Sequence, residues 1–142
     1  MREYKFRGKD KKRDWIYGSL YRDNPQNCWY ITDNETEIGI EVEENTIGQY
    51  TGLKDKNKKE IYEGDILKYA GGGIYVVVFD EMMIMCPQDK IEMPSPGYYG
   101  ILIGDKAKEL CPLGITQRLA RVIGNIYDNP ELLEEGGNKL WK

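Results

Sequence analysis

From Tyr4 to Tyr127 the chain switches between short apolar–polar alternations and clusters of Gly, Pro, Asn and Asp. That rhythm confines it to short strands joined by turns. Tyr4 and Phe6 against Lys5 and Arg7 describe a half-buried strand over 2–7, and Gly8 to Asp14 a charged turn. Trp15 to Tyr21 is a second strand, antiparallel to the first if the turn is a hairpin. Asp23-Asn24-Pro25 is a turn signal, Cys28 to Thr32 a third strand and Asp33 to Glu37 a polar turn. Ile38, Ile40 and Val42, alternating with Gly39 and Glu41, give a fourth strand.

Thr46 to Leu53 is an extended segment punctuated by glycine, and Lys54 to Glu60 reads as a charged, solvated loop. Gly64-Asp65 is a tight turn into a strand carrying Ile66, Leu67 and Tyr69, a pattern found in SH3-like barrels. Gly71-Gly72-Gly73 then leads into Ile74–Phe79. A phosphate loop needs a following helix with Lys and Ser or Thr, whereas a β-branched run follows here, so these glycines read as a hairpin turn. Met82 to Met85 is a strand or an apolar patch, and Pro87, Pro94, Pro96 and Gly97 are expected to break the chain after it. Tyr98–Ile103 and Ala120–Tyr127 are further strands. Asp105 to Leu110 suits a helical turn or two, and Leu113 to Leu119 is ambiguous. Asn129 as N-cap and Pro130 at the first helical position predict a short helix to Glu135, ended by Gly136-Gly137.

The expected fold is therefore mainly β. It comprises a β-meander over 1–45, an SH3-like or small-barrel unit over 46–135 with one short C-terminal helix, and a tail over 136–142, together one compact unit. A chain of 142 residues suits a single domain.

Histidine is absent, which removes Ser-His-Asp and Cys-His nucleophile systems and His-ligated metal sites. Cys28, Cys86 and Cys111 form no CxxC pair and read as small buried hydrophobes. The first ten residues hold no apolar stretch, and no run reaches the ~20 apolar residues of a membrane span. A cytoplasmic protein with reduced thiols is expected, with no membrane association and no cofactor.

Carboxylates are the only abundant catalytic groups. Glu60, Glu63 and Asp65 lie close in sequence and are the candidates for a Mg²⁺-dependent hydrolase. Such clusters are more often solvated, and no metal site is expected. Net charge is −4, yet residues 1–14 hold seven cations against three carboxylates. Arg2, Lys5, Arg7, Lys11 and Lys12, with Lys54 and Lys56 from the second basic loop, are the candidates for nucleic-acid contact. The acidic remainder disfavours that reading. Eleven Tyr against two Phe supply rings that pack while the hydroxyl stays wet, which favours protein–protein contact and a homo-oligomer.

Five phrases recur in a recognisable order: Tyr4–Arg7, Trp15–Gly18, Thr46–Asn57 (TIGQYTGLKDKN), Glu60–Lys68 (EIYEGDILK) and Val122–Leu133 (VIGNIYDNPELL). In these the chain resembles the YopX-like family of proteins encoded by bacteriophages and prophages of low-GC Gram-positive bacteria. The segment 81–119 carries none of the phrases and reads as the variable part. The resemblance implies a mainly-β phage protein of uncharacterised function made in the cytoplasm of the bacterial host; the role expected of it is that of an accessory or interaction protein acting on an unidentified host or phage protein. It supplies no catalytic residues. Tyr50, Tyr62, Asp65, Asn125 and Tyr127, inside the last three phrases, are candidates for a shared surface. Equally, the Gly, Pro and apolar content of those phrases specifies turns and core.

Overall fold

A computed structural model describes residues 3–33, 35–85, 88, 90, 92–103 and 110–133. Arg2, Cys86, Pro87, the greater part of 105–110 and the tail lie outside the described residues. The chain divides into two compact units, Met1–Gly52 with Glu60–Tyr62, and Leu53–Lys59 with Glu63–Lys142.

The first unit is built on β1 (Phe6–Lys9), β2 (Trp15–Asp23), β3 (Cys28–Thr32), β4 (Gly39–Val42), β5 (Gly48–Lys54) and β6 (Glu60–Tyr62). These form an antiparallel meander extended on one side, in the order β4-β3-β2-β1-β5-β6. Register pairs Phe6 with Gly18, Gly8 with Ile16, Leu20 with Ile31 and Ile31 with Ile40, so these residues and Val42 share one face. The other face of β1 and β2 carries Arg7, Lys9, Trp15 and Tyr17. The sheet curls until β4 returns to β1. A Cβ on Gly8 would sit 3.0 Å from the Cβ of Val42, so a side chain there would require Val42 to give way. The Glu43 N–H donates to the Lys9 carbonyl at 2.8 Å. The buried Thr46 hydroxyl accepts the Lys9 N–H at 2.8 Å and donates to the Glu43 carbonyl at 2.7 Å.

The second unit holds β7 (Asp65–Tyr69), β8 (Ile74–Met85), β9 (Glu92–Leu102), β10 (Leu110–Pro112) and β11 (Ala120–Asn125), in the order β10-β9-β8-β7-β11. Its core gathers Ile66, Val76, Ile103 and Leu133, with Ile74, Val78, Ile123, Ile126 and Leu132 against them. The barrel expected over 46–135 is not a closed one. The end strands β10 and β11 do not pair with each other, and the sheet stays open among the described residues.

Two local expectations are corrected as well. Pro94, Pro96 and Gly97 do not break the chain but lie inside β9, in register with Met83, Glu81 and Asp80. Of the expected C-terminal helix, the described residues Pro130–Leu133 form a 3₁₀ turn and not an α-helix, with the Leu132 N–H donating to the Asn129 carbonyl at 3.1 Å; Glu134 to Gly137 lie outside the described residues. Leu113–Leu119 resolves into α1 (Leu113–Thr116) followed by a 3₁₀ turn. No helix among the described residues is long and apolar enough to cross a membrane.

Candidate functional site

Lys5, Arg7, Lys9, Lys11 and Arg13 of the N-terminal segment are engaged within their own unit. Lys5 pairs with Glu60 at 2.7 Å and with Glu3 at 3.4 Å, and the hydrogen bond to Glu60 holds its ammonium above the usual lysine range. Arg7 is 5 % exposed although it is a formal charge. Its guanidinium lies 4.5 Å from the Trp15 ring centroid and 5.0 Å from that of Tyr62. Lys9 is equally buried, with its ammonium 5.2 Å from the Trp15 ring. Ring faces carry negative potential, so stacking offsets part of the desolvation of each cation. Lys11 pairs with Glu41 at 3.3 Å and Arg13 with Glu43 at 2.5 Å. Lys12 is exposed. A phosphate approaching Lys5, Lys11 or Arg13 must displace a carboxylate, and Arg7 and Lys9 lie below the surface.

The five residues of the candidate shared surface fall into two groups, one in each unit. Tyr50 and Tyr62 are buried in the first, their rings 5.4 Å apart, and Tyr17 packs edge-on to Tyr62 at 5.5 Å. Burial and the neighbouring Glu60 push the Tyr62 hydroxyl far above the usual tyrosine range. In the second unit Asp65 and Asn125 are buried cross-strand partners. Asn125 Oδ1 accepts the N–H groups of Tyr127 at 3.0 Å and Asp128 at 2.9 Å, and Asn125 Nδ2 donates to Asp128 at 3.1 Å. The Val122–Leu133 phrase thus encodes a side-chain-braced turn.

Sequence reasoning missed Asp55, the organiser of the supposedly solvated loop. Its carboxylate is 5 % exposed and accepts three backbone N–H groups: Asn57 at 2.8 Å, Lys59 at 2.9 Å and Val122 at 2.8 Å. The Lys56 N–H adds a bond to the Ala120 carbonyl at 3.0 Å. Lys54 closes β5, and Lys56 is held beside β11.

Among the described residues, no group of three or more Asp, Glu or Cys side chains is arranged to hold a metal ion. Of the proposed hydrolase carboxylates, Glu60 is the partner of Lys5 and Asp65 is 2 % exposed. Cys28 and Cys111 are unbridged and half-buried.

Exposed apolar side chains also line a strand pair that runs into the variable segment. From the Phe79–Tyr98 pair outward to Met85–Glu92, β8 and β9 pair only with each other among the described residues, forming a two-stranded arm. One face of this arm presents the pairs Phe79–Tyr98, Glu81–Pro96 and Met83–Pro94. Phe79 is 57 % exposed and Met83 is 55 % exposed. The outer edge of β9 offers few donors for strand addition. Asp80 Oδ1 takes the Glu81 N–H at 2.7 Å, and the facing Pro96 has no N–H to give. That pair is therefore outside the hydrogen-bonded ladder, and the donors missing at Pro94 and Pro96 are missing from the outer edge of β9.

Two antiparallel sheets in separate units, joined by turns and 3₁₀ segments, define a mainly-β protein. The chain belongs to the YopX protein family, whose model matches residues 5–134. Among solved structures it is similar to protein EF1440 from Enterococcus faecalis, with 26 % identity over 94 % of this chain and 100 % of that one, at a TM-score of 0.45. No curated protein matches the chain.

Proposed function

We propose that this protein is a non-catalytic interaction module of phage or prophage origin, working in the cytoplasm of the bacterial host, and that it self-associates through the β8–β9 arm. The observation that carries the reading is the ladder of Phe79, Met83, Pro94, Pro96 and Tyr98 on a two-stranded arm. An isolated hairpin gains little from its own packing, and exposed apolar side chains ranged along one face of it favour a contact surface. Glu81 lies within the ladder opposite Pro96, and Glu92 at its outer end, so anionic lipid and nucleic acid are repelled from this face and protein is accepted. The donor-poor edge of β9 favours the face of the arm as the contact.

Co-purification of tagged and untagged copies tests the reading. Wild-type chains should be retained together, and an untagged Phe79→Lys/Met83→Lys chain should be lost from the column. Retention of that variant, or no retention of the wild type, would contradict self-association through the arm.

A further inference from the structure

We propose that the second unit carries a binding site for a nucleotide unit, a phosphate beside an aromatic base, in a two-part hollow along β7 and β11. One part is a notch of about 170 Å³ lined by Lys56, Lys68, Tyr69, Ala70 and Arg121. Lys68 and Arg121 are direct cross-strand partners, an arrangement of like charges that destabilises a sheet by itself. Lys56 brings a third cation, and among the described residues no carboxylate lines the notch.

The cluster is held in place before any ligand arrives. The Lys56 N–H is bonded to the Ala120 carbonyl next to Arg121, and the Asp55 carboxylate ties the same loop to Val122. An anion meeting these three cations needs little loop ordering, and the repulsion among them is relieved when it binds.

The second part is a hollow of about 450 Å³ that shares Tyr69 and Ala70 with the notch and continues over Gly71, Gly72, Tyr75, Cys111 and Leu119. The rings of Tyr69 and Tyr75 meet edge-on at 4.7 Å, and Leu119 is 64 % exposed. At Gly71 and Gly72 the space a Cβ would fill is open, so a ligand can reach the backbone. A flat apolar ring suits this wall, and its phosphate falls to the cations next to it. Three cations on a chain of net charge −4 make no track for a duplex, which leaves a free nucleotide or a single strand as the source.

Fluorescence anisotropy of the full chain with a labelled oligothymidylate, competed by adenosine monophosphate and separately by inorganic phosphate, tests the site. Lys68→Gln/Arg121→Gln should weaken binding at least about tenfold and lower the salt slope by about 2, because two phosphate contacts are removed. Its melting temperature should stay level or rise as the repulsion is relieved, and Lys56→Gln, in an exposed loop, should act in the same direction on binding. Lys11→Gln/Lys12→Gln should bind as the wild type does. A much tighter oligonucleotide identifies a single strand as the source, whereas comparable affinity for the mononucleotide identifies a free nucleotide; either supports the site. Absence of binding to both overturns it. So does unchanged binding in Lys68→Gln/Arg121→Gln, or competition by inorganic phosphate as effective as that by the mononucleotide.

Discussion

Asp55 Oδ2 accepts the backbone N–H of Val122 at 2.8 Å across 67 positions of sequence. With Oδ1 holding Asn57 and Lys59, one carboxylate satisfies three donors and fastens a lysine-rich loop to β11. Buried donors left without partners cost about 1–3 kcal/mol each, partly recovered by water, so Asp55→Ala should destabilise the chain by about 3 kcal/mol. Asp55→Asn should cost nearly as much, because no orientation of an amide accepts all three N–H groups on oxygen. Urea denaturation followed by fluorescence measures both; a loss below about 1 kcal/mol would show that the clamp is replaceable by solvent.

Gly124 has no room for a side chain. A Cβ there would lie 2.4 Å from Asn129 Oδ1, the atom that accepts the Asn125 N–H. Gly124→Ala must push the Asn129 side chain off the Asn125 N–H and should cost about 1–3 kcal/mol. Asn129→Gly in the same background should return part of that loss. Equal stabilities of the single and double variants in thermal melts would refute the steric account.

Tyr62 should ionise only at strongly alkaline pH. Burial and Glu60 raise its folded pKa above the unfolded value, so the fold holds the neutral phenol. The corresponding stability is fully present below the unfolded pKa of about 10 and is lost as pH rises beyond it. Alkaline titration by ultraviolet difference absorbance should show the exposed tyrosines ionising first and a late step coincident with unfolding. Tyr62→Phe should remove one tyrosine from the late step; a Tyr62 that ionises with the exposed group would contradict the burial argument.

Much of this architecture is legible in the residues. The strands β2, β3 and β4 lie close to where turn signals and β-forming runs place them. Pro94 and Pro96 misled because proline opposes a central strand but not an outer edge, and edge position is a property of the whole sheet. Arg7 and Lys9 read as solvated charges; their clue was the alternation opposite Trp15 and Tyr17, which places rings against cations. For Asp55 the local half was visible, since an Asp two and four residues before amide donors makes an Asx turn. Val122, its third partner, was not. The pairing of Lys68 with Arg121 likewise follows only from the β7–β11 register.

Restoring the missing donors on β9 should make the arm adhesive along its edge. Pro94→Val/Pro96→Val adds two outward N–H groups to a β-branched strand, which favours pairing with other chains. Light scattering on mild heating should rise for this variant earlier than for the wild type. Identical scattering curves would mean that the prolines do not protect the edge.

The apolar face of the arm is the central claim, and sedimentation equilibrium tests it most directly. The account predicts that the wild-type chain sediments at a multiple of 16.5 kDa and that Phe79→Lys/Met83→Lys sediments at 16.5 kDa with its circular dichroism spectrum intact. A wild type that stays at 16.5 kDa across the concentration range, or a variant that remains assembled, would contradict it.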